Sequence, residues 1–320
     1  MKTFRLVGMA VMAVLMCVNF TSCSSDDSDI EPSVPQKPKE YMVSLGFTGE
    51  ITISEGPLSR VSGNDLYGIQ VYSCPDSSTD YANYAYGLFD DVSSATIKLL
   101  KGYKYKFIAT MVVDGKNKIK KSYDGKYFQP FGYVTQPSIT NSFIYTTKES
   151  LIEAFGITDG YSYLSSDKEY SRPNTDRFYG EQSDYVPTEN GNISINMLRT
   201  VYGLKVIANN LTEGTLNISM DGAPQMNVIY PNSEIEDIFT FCYVSKAYSS
   251  DGYSETVATS FTWTRNDGVA IPLGTHDITF KRNKQTIVTV EIGDASVDND
   301  LNLSLESDGM TEGDKYSIKK

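Results

Sequence analysis

The sequence has little of what catalytic and metal sites are built from. Its one histidine, His276, follows Gly274-Thr275 and precedes a strand-like stretch, so a turn residue is a simpler interpretation than a general base. No GxSxG, HExxH, P-loop or glycine-rich dinucleotide motif is present, and nothing selects a pair of carboxylates for glycoside hydrolysis. The cluster Asp294, Asp298 and Asp300 lacks the glycine and final glutamate of an EF-hand loop, which favours a solvated acidic loop. We therefore predict that the protein is not an enzyme and needs no cofactor.

Cysteine is also scarce. Of the four cysteines, Cys17 and Cys23 belong to the N-terminal leader and its end, which leaves Cys74 and Cys242 far apart in the sequence. Two single cysteines in separate cores are more often small buried hydrophobes than a bonded pair. We expect no disulfide between them.

Positive charge is too sparse for a nucleic-acid partner. The formal net charge is −12, and loss of Lys2 and Arg5 with the leader makes it −14, with 26 basic against 40 acidic residues. Phosphate binding requires clustered cations, so nucleic acid is excluded as an expected partner. The acidic charge needs no special partner to explain it, because like charges keep copies of a soluble secreted protein apart.

No apolar run is long enough to span a membrane comfortably. The run Leu6–Val18 has thirteen residues, against about 20 for a transmembrane helix, and it follows Lys2 and Arg5 as in an export signal. Small residues before Cys23 resemble the lipobox of bacterial lipoproteins, although a phenylalanine replaces the usual leucine-like residue. We expect residues 1–22 to be a signal peptide and Cys23 to be lipid-modified. The alternative is an ordinary signal peptide with an incidental cysteine.

Residues 23–39 are predicted to be a disordered tether. An acidic serine-rich run, Ser24–Asp29, is followed by regularly spaced prolines up to Lys39, and such a segment cannot bury enough surface to fold. A Ser/Asp cluster directly after a lipid-bearing cysteine also resembles the surface-export signal of Bacteroidetes lipoproteins. A plain polar linker is the alternative.

The choice of residues predicts an all-β chain. The sequence has 23 tyrosines and 14 phenylalanines, and aromatic and β-branched residues favour half-buried pleated surfaces. The clearest strand is Tyr41–Ile53, where apolar residues recur at alternate positions over thirteen residues, against the roughly 4–8 that usually suffice. Its apolar face consists of Tyr41, Val43, Leu45, Phe47, Ile51 and Ile53. We predict one long strand of about 40 Å.

In the rest of the first half, some segments have a clear secondary-structure pattern and others do not. Alternation predicts strands at Leu66–Ser73 and Tyr103–Val113. A capping box formed by Thr146 and Glu149 predicts one short helix that ends near Gly156. From residue 160 to residue 186 the periodicity is weak, which indicates a long, loosely structured excursion.

A change of phase marks the middle of the chain. Apolar residues alternate at odd positions from Ile193 to Met197 and at even positions from Tyr202 to Ala208. Because a one-residue shift moves every side chain to the other face of a sheet, passage from one core to another explains the change. We therefore expect an N-terminal domain at 40–197 and a C-terminal domain at 198–320, each an antiparallel β-sandwich of short strands.

In their order, these parts resemble the fimbrillins, or type V pilins, of Bacteroidetes. The resemblance consists of the fragments FTSC with its tether, YMVSLGFTGEITI, Ser59-Arg60-Val61, LYGIQVYS, INMLRTVYGLKVIA and FKRNKQTIVTVEI. The fragments span nearly the whole chain; each is degenerate, and their order carries the resemblance. It implies a lipoprotein precursor with two transthyretin-like β-sandwich domains in tandem and at most one or two short helices.

The resemblance also implies a function: a structural or anchoring subunit of a bacterial surface fimbria involved in cell adhesion. In that family a trypsin-like surface protease cuts after an arginine, the first strand is lost, and a segment of a neighbouring pilin subunit replaces it by donor-strand exchange. Arg60 and Val61 lie at the matching position, in a loop with glycine and proline. Family members that act as anchors keep the first strand and the lipid. Stalk and anchor roles are therefore both open, with an outer-membrane, lipid-anchored precursor in either case.

Two further points are open at this level. Leu301–Leu305 and Met310–Ile318 are candidate donor segments, and the simpler expectation is that they form the last strand of the C-terminal domain. The alternative function is a monomeric surface lipoprotein that binds a glycan or host ligand. Tyrosines that could stack on sugars, although β-surface roles explain them more simply, are Tyr81, Tyr84, Tyr86, Tyr161, Tyr163 and Tyr170.

Overall fold

The part of the chain that the structure describes folds mainly into β-strands, which confirms the all-β prediction. The computed structural model describes residues 38–52, 63–118, 120–121, 127–129, 139–147, 163–165, 168–292 and 315–319. Strands of the first half are β1 Glu40–Gly49, β2 Leu66–Pro75, β3 Ala82–Phe89, β4 Thr96–Leu100, β5 Tyr103–Val112, β6 Lys120–Lys121, β7 Tyr127–Gln129, β8 Ile144–Tyr145, β9 Tyr163–Ser165, β10 Lys168–Tyr170, β11 Arg177–Tyr185 and β12 Gly191–Arg199.

Strands and one helix continue through the second half. The strands are β13 Val201–Asn209, β14 Thr215–Met220, β15 Met226–Ile229, β16 Glu234–Thr240, β17 Ser254–Thr264, β18 Ala270–Lys281, β19 Gln285–Glu291 and β20 Lys315–Lys319. Helix α1, Val244–Ser249, lies between β16 and β17. It is the one α-helix of the described residues, and no helix among them is long and apolar enough to cross a membrane.

Three larger sheets organise these strands. One has eight strands in the order β4-β1-β12-β11-β5-β2-β3-β8, and two have four strands each, β16-β13-β19-β20 and β15-β14-β17-β18. The two four-stranded sheets share one hydrophobic core, as in a sandwich. Two of these sheets are mixed, because β1–β12, β13–β19 and β19–β20 run parallel, whereas the sheet β15-β14-β17-β18 is purely antiparallel.

Two main cores separate at the step from β12 to β13. One cluster of buried residues extends from Val43 to Met197 and the other from Tyr202 to Ile292. Thr200 alone separates the two strands, so the phase change in the sequence corresponds to side chains that enter different cores. Pro38–Lys320 nevertheless form one compact unit, and the predicted division into domains at 197/198 stays a prediction.

The first strand is shorter than the sequence pattern predicts. β1 ends at Gly49, and Glu50–Thr52 follow as a 3-10 turn. Gly49 has φ +86°, a conformation that glycine adopts far more readily than other residues, so extended backbone stops there. Ile51 is still buried in the first core, which it reaches through the turn. Ile53 lies outside the described residues.

The predicted irregular excursion at 160–186 is wrong in its last third, where β11 is a central strand between β12 and β5. The strand has no period-2 pattern because both of its faces are covered: Phe178 belongs to the first core and Tyr179 to a third cluster on the opposite face. Its first residue is a buried arginine, Arg177, which further hides the strand in the sequence. The predicted helix at Thr146–Gly156 lies mostly outside the described residues.

Two other local features differ from expectation or were not expected. His276 lies within β18, opposite Thr259, rather than in a turn, because β18 continues past Gly274 with Leu273 as an extra, bulged residue opposite Phe261 and Thr262. Helix α1 follows directly after β16 and has no clear signal in the sequence. Cys74 is buried and Cys242 half-buried, and both are free thiols.

The end of β1 provides a test of how closely β1 and β12 pack. A Cβ at Gly49 would lie 2.8 Å from the Met197 carbonyl oxygen and still closer to the Asn196 side chain, whereas a Cβ at Gly102, with the same φ of +86°, would meet nothing within 4 Å. Gly102→Ala should cost only the backbone strain, about 1–2 kcal/mol. Gly49→Ala should cost clearly more in the free energy of unfolding, measured by chemical denaturation. Equal losses would contradict the close approach.

Candidate functional site

β1 is hydrogen-bonded along both of its edges. It pairs antiparallel with β4, from Glu40 opposite Leu100 to Ser44 opposite Thr96. It pairs parallel with β12, where Val43 lies opposite Gly191 and the ladder continues to Gly49. Among the described strands β4 has no other neighbour, since it stands at the end of the sheet order. Without β1, a slot bounded by β4 and β12 would be open; this space is called the β1 slot.

The inward face of β1 fills the slot with apolar side chains. Tyr41, Val43 and Leu45 are buried, with Val43 fully inaccessible. Burial of a valine or leucine side chain is worth about 1.5–3 kcal/mol, so the strand is held by packing as well as by its ladders. The walls that face it are apolar and buried too: Ile97 and Leu99 on β4, and Ile193 and Ile195 on β12.

Phe47 extends the same face towards the core of the first half. It is half-buried and stacks on Tyr67 of β2, with ring centroids 5.7 Å apart and an interplanar angle of 14°. Burial, with a smaller contribution from the charge of Asp65, raises the pKa of Tyr67 to about 12. The phenol is therefore neutral at physiological pH, which suits its position against the apolar strand.

The outward face of β1 is more polar and makes few tight contacts. Met42 is 42% exposed, and the Ser44 and Thr96 hydroxyls lie 3.2 Å apart. The Ser194 hydroxyl donates to Thr48 at 3.2 Å. A segment that occupies the slot therefore needs apolar residues at alternate positions, whereas its other positions are less constrained.

Glu50, directly after β1, joins the slot to the second half of the chain. Its carboxylate accepts a hydrogen bond from the Arg199 backbone N–H at 2.7 Å. It also accepts from the Arg282 guanidinium, which lies in the turn between β18 and β19, at 2.9 and 3.1 Å. The same guanidinium donates to the Arg199 carbonyl at 3.1 Å. The group Glu50, Arg199 and Arg282 is called the Glu50 junction.

A second ion pair, between Arg199 and Asp176, adjoins the Glu50 junction. The Arg199 side chain is only 5% exposed and binds both carboxylate oxygens of Asp176, at 2.7 and 2.8 Å. Asn283, next to Arg282, donates its backbone N–H to the Val201 carbonyl at 2.7 Å. Removal of one partner from a partly buried ion pair costs more free energy of unfolding than removal of one from an exposed pair. The contacts of Glu50 should therefore contribute to stability.

The remaining predicted site residues are not placed by the structure. Cys23, Arg60, Val61 and the segment Leu301–Leu305 lie outside the described residues. The other candidate donor segment, Met310–Ile318, overlaps β20, Lys315–Lys319, which pairs parallel with β19 at the end of a four-stranded sheet. No group of residues that could hold a metal ion occurs in the described part of the chain.

The sequence did not reveal the Glu50 junction. Glu50 occupies an even position in an alternating run, which predicts a solvent-facing side chain on a continuing strand. Its partners lie 149 and 232 residues later in the chain. Pairing at such separations leaves no local signal in the sequence. Only the tertiary structure brings these charges together.

Comparisons with known proteins give distant structural likenesses. No family model and no curated protein sequence matches the chain. Solved structures that resemble it include the tip fimbrial protein Mfa3 from Porphyromonas gingivalis, at 10% identity and a TM-score of 0.33, over 88% of this chain and 99% of that chain. The fimbrial anchor protein Mfa2 from the same organism has 11% identity and a TM-score of 0.34, over 75% of this chain and 83% of that chain. Scores and identities this low transfer no function, which must be argued from the residues of this chain.

Removal of the Glu50 charge tests the junction. Glu50→Gln should lower the free energy of unfolding by about 1–3 kcal/mol, because the Arg282 guanidinium loses its charged acceptor. Glu40→Gln is the matched control at the other end of β1, where Glu40 lies 3.8 Å from Lys98 and both side chains are 57% exposed. That change should cost no more than about 0.5 kcal/mol. Urea denaturation of both variants measures the difference, and similar values would refute a stabilising junction.

Proposed function

We propose that this protein is a subunit of a bacterial surface fimbria in which β1 is a removable occupant of the β1 slot. The observation that carries the proposal is the position of β1: an N-terminal strand inserted between β4 and β12, with ladders on both sides and apolar residues inward. The resemblance of the sequence to fimbrillins supports the same conclusion.

Removal of β1 requires a cut between β1 and β2. The segment of sequence that contains Arg60 and Val61 joins Thr52 to Gly63, and the described residues Gly63 and Asn64 that follow it are exposed. A trypsin-like surface protease is the expected enzyme because it would cut after Arg60. Cleavage there would detach β1 and Glu50 from the rest of the chain as one piece.

The empty slot would then be filled by an extended segment of another pilin subunit. Both walls of the slot offer backbone N–H and C=O groups, and alternate side chains of the incoming strand would meet Ile97 and Leu99 on one wall and Ile193 and Ile195 on the other. Strand addition of this kind combines backbone hydrogen bonds with side-chain pockets. Lipidation at Cys23 would hold the precursor at the outer membrane until the cut is made, and an uncut chain would remain as an anchor.

Cleavage at Arg60 is the first test. Limited trypsin treatment of the folded chain from residue 24 onwards should release an N-terminal fragment that ends at Arg60. N-terminal sequencing of the larger product should then begin at Val61. The product should then form ladders that resist SDS, because a donor strand in the slot dissociates slowly. Arg60→Gln should abolish both, whereas Arg265→Gln, at an arginine that is 42% exposed in the β17–β18 hairpin, should change neither.

A chain that is cut after Arg60 but stays monomeric would contradict the stalk role. A chain that resists cleavage at Arg60 while other exposed sites are cut would favour an anchor, or a monomeric surface protein, over a polymerising subunit.

Peptide exchange tests the slot itself. The chain cut after Arg60 should take up a labelled peptide of residues 40–52, and the uncut chain should not, since its own β1 remains tethered. The peptide with Leu45→Asp should fail because it would bury an unpaired carboxylate, whereas Met42→Asp, on the exposed face, should still exchange. Fluorescence anisotropy follows the uptake. Equal uptake of the two variant peptides would rule out the slot as the binding site.

A further inference from the structure

A cleft of about 520 Å³ opens on the eight-stranded sheet, on the face opposite the first core. Three neighbouring strands supply most of its lining: Tyr72 from β2, Lys106 and Ile108 from β5, and Tyr179 and Glu181 from β11. Tyr81, just before β3, also lines it. The size lies within the range of about 300–1,000 Å³ that is usual for small-molecule sites. The residues that line it form no part of the β1 slot.

The floor of the cleft is apolar and buried. Ile108 is 7% exposed and Tyr179 only 1% exposed. The Tyr179 ring packs edge-on against Tyr248 of helix α1, with ring centroids 5.4 Å apart. Helix α1 therefore supports one residue of the floor by a ring contact.

One wall carries paired charges. Lys106 Nζ lies 3.2 Å from the Glu181 carboxylate, and the Tyr179 hydroxyl donates to the same carboxylate. The two side chains are 31% and 25% exposed, so their remaining hydrogen-bonding capacity faces the cleft opening rather than the core. A lysine has three N–H donors and a carboxylate about four acceptor sites. The pair therefore presents donors and acceptors side by side with no net charge.

The rim carries two tyrosine rings. Tyr72 lies directly across from Lys106 in the β2–β5 register. The Tyr81 hydroxyl donates to Asp184 at 3.0 Å. Asp184 sits in a bulge of β11, with φ +55°, and also binds Lys104 at 3.0 Å. Bulges commonly re-aim side chains beside functional sites, and here the bulge fixes the ring at the cleft mouth.

The tyrosines of the rim add no charge. Burial is the main cause that raises the pKa of Tyr72 to about 12, and the nearby Glu181 carboxylate contributes to it. Burial and the hydrogen bond to Asp184 also raise the pKa of Tyr81. Both phenols are therefore protonated at neutral pH. The cleft combines aromatic faces with neutral, closely spaced donors and acceptors.

We propose that this cleft binds a neutral carbohydrate. A pyranose has an apolar face of C–H groups that packs on an aromatic ring, and an edge of hydroxyls that both donate and accept hydrogen bonds. The rings of Tyr72 and Tyr81 would pack on the apolar face of the sugar. Lys106 and Glu181 would exchange hydrogen bonds with its hydroxyls. An anionic ligand fits less well, because Lys106 is already paired and the whole chain carries a net charge of −12.

Methyl NMR of the chain from residue 24 onwards, labelled at isoleucine, tests the proposal. The Ile108 methyl group reports from the cleft floor, and the Ile218 methyl group, buried in the second core, is the internal control. The probes are maltotetraose, cellotetraose, mannotetraose and the acidic tetragalacturonate, each up to about 10 mM, which suffices to detect a Kd near 1 mM. At least one neutral probe should shift Ile108 and leave Ile218 unchanged.

Variants locate the binding. Tyr81→Ala should weaken the affinity for the bound tetrasaccharide about three- to tenfold, as expected for the loss of one aromatic contact. Lys106→Met, which keeps the aliphatic stem and removes the donors, should also weaken it. Tyr230→Ala, at a tyrosine that is 50% exposed in the second half, should leave it unchanged. Thermal unfolding of each variant confirms that it is folded.

Four outcomes would overturn the proposal. The first is that no neutral tetrasaccharide shifts the Ile108 methyl, and the second is that the shifts occur at Ile218 instead. The third is binding of tetragalacturonate at least as tight as that of the neutral sugars. The fourth is that only a proline-rich peptide such as PSVPQKP, which also packs on tyrosine rings, shifts Ile108. None of these outcomes depends on cleavage at Arg60, so the test is independent of the fimbrial proposal.

Discussion

The two backbone ladders of β1 hold the first half of the chain together. Among the described strands β4 is hydrogen-bonded only to β1, so loss of β1 would separate β4 from the other strands of the sheet. The division would expose two facing rows of unpaired N–H and C=O groups and the apolar walls beside them. Such edges pair readily with any extended segment that fits. A strand in the slot, whether its own or another, would satisfy both rows of backbone groups and cover the apolar walls.

The Glu50 junction adds a requirement for the strand that occupies the slot. Glu50 leaves with β1 if the chain is cut at Arg60, and Arg282 would then keep one acceptor, the Arg199 carbonyl. A partly buried guanidinium without a carboxylate is costly. An incoming strand that places an acidic or carbonyl oxygen just past its last inward residue would satisfy Arg282. The junction therefore favours some donor segments over others, beyond what the apolar pockets of the slot select.

Sequence reasoning recovered what depends on alternation and missed what depends on tertiary contact. Period-2 patterns located β1, β2 and β5, and the change of phase between Met197 and Tyr202 anticipated side chains that enter different cores. The pattern did not show that β1 ends at Gly49, because Ile51 keeps the parity through a 3-10 turn. β11 was missed since a strand covered on both faces has no alternation.

The candidate sites divide along the same line. The apolar face of β1 could be read from the sequence because it is local. The cleft could not, because Tyr72, Lys106 and Glu181 come from strands that are adjacent only in the folded sheet. The tyrosines named from the sequence as possible sugar-stacking residues were an uncertain guide: Tyr81 lines the cleft, whereas Tyr86 is buried and Tyr84 donates to the Lys98 carbonyl.

The slot and the cleft lie on one sheet but use different strands and different faces. β1, β4 and β12 form the slot, and its occupant points into the core; β2, β5 and β11 form the cleft, on the opposite face. Replacement of β1 by another strand therefore leaves the cleft residues in place. If subunits polymerise through the slot, each one adds a copy of the cleft to the same filament. Even weak carbohydrate binding at each copy would then give strong attachment, because linked sites raise the effective concentration for one another.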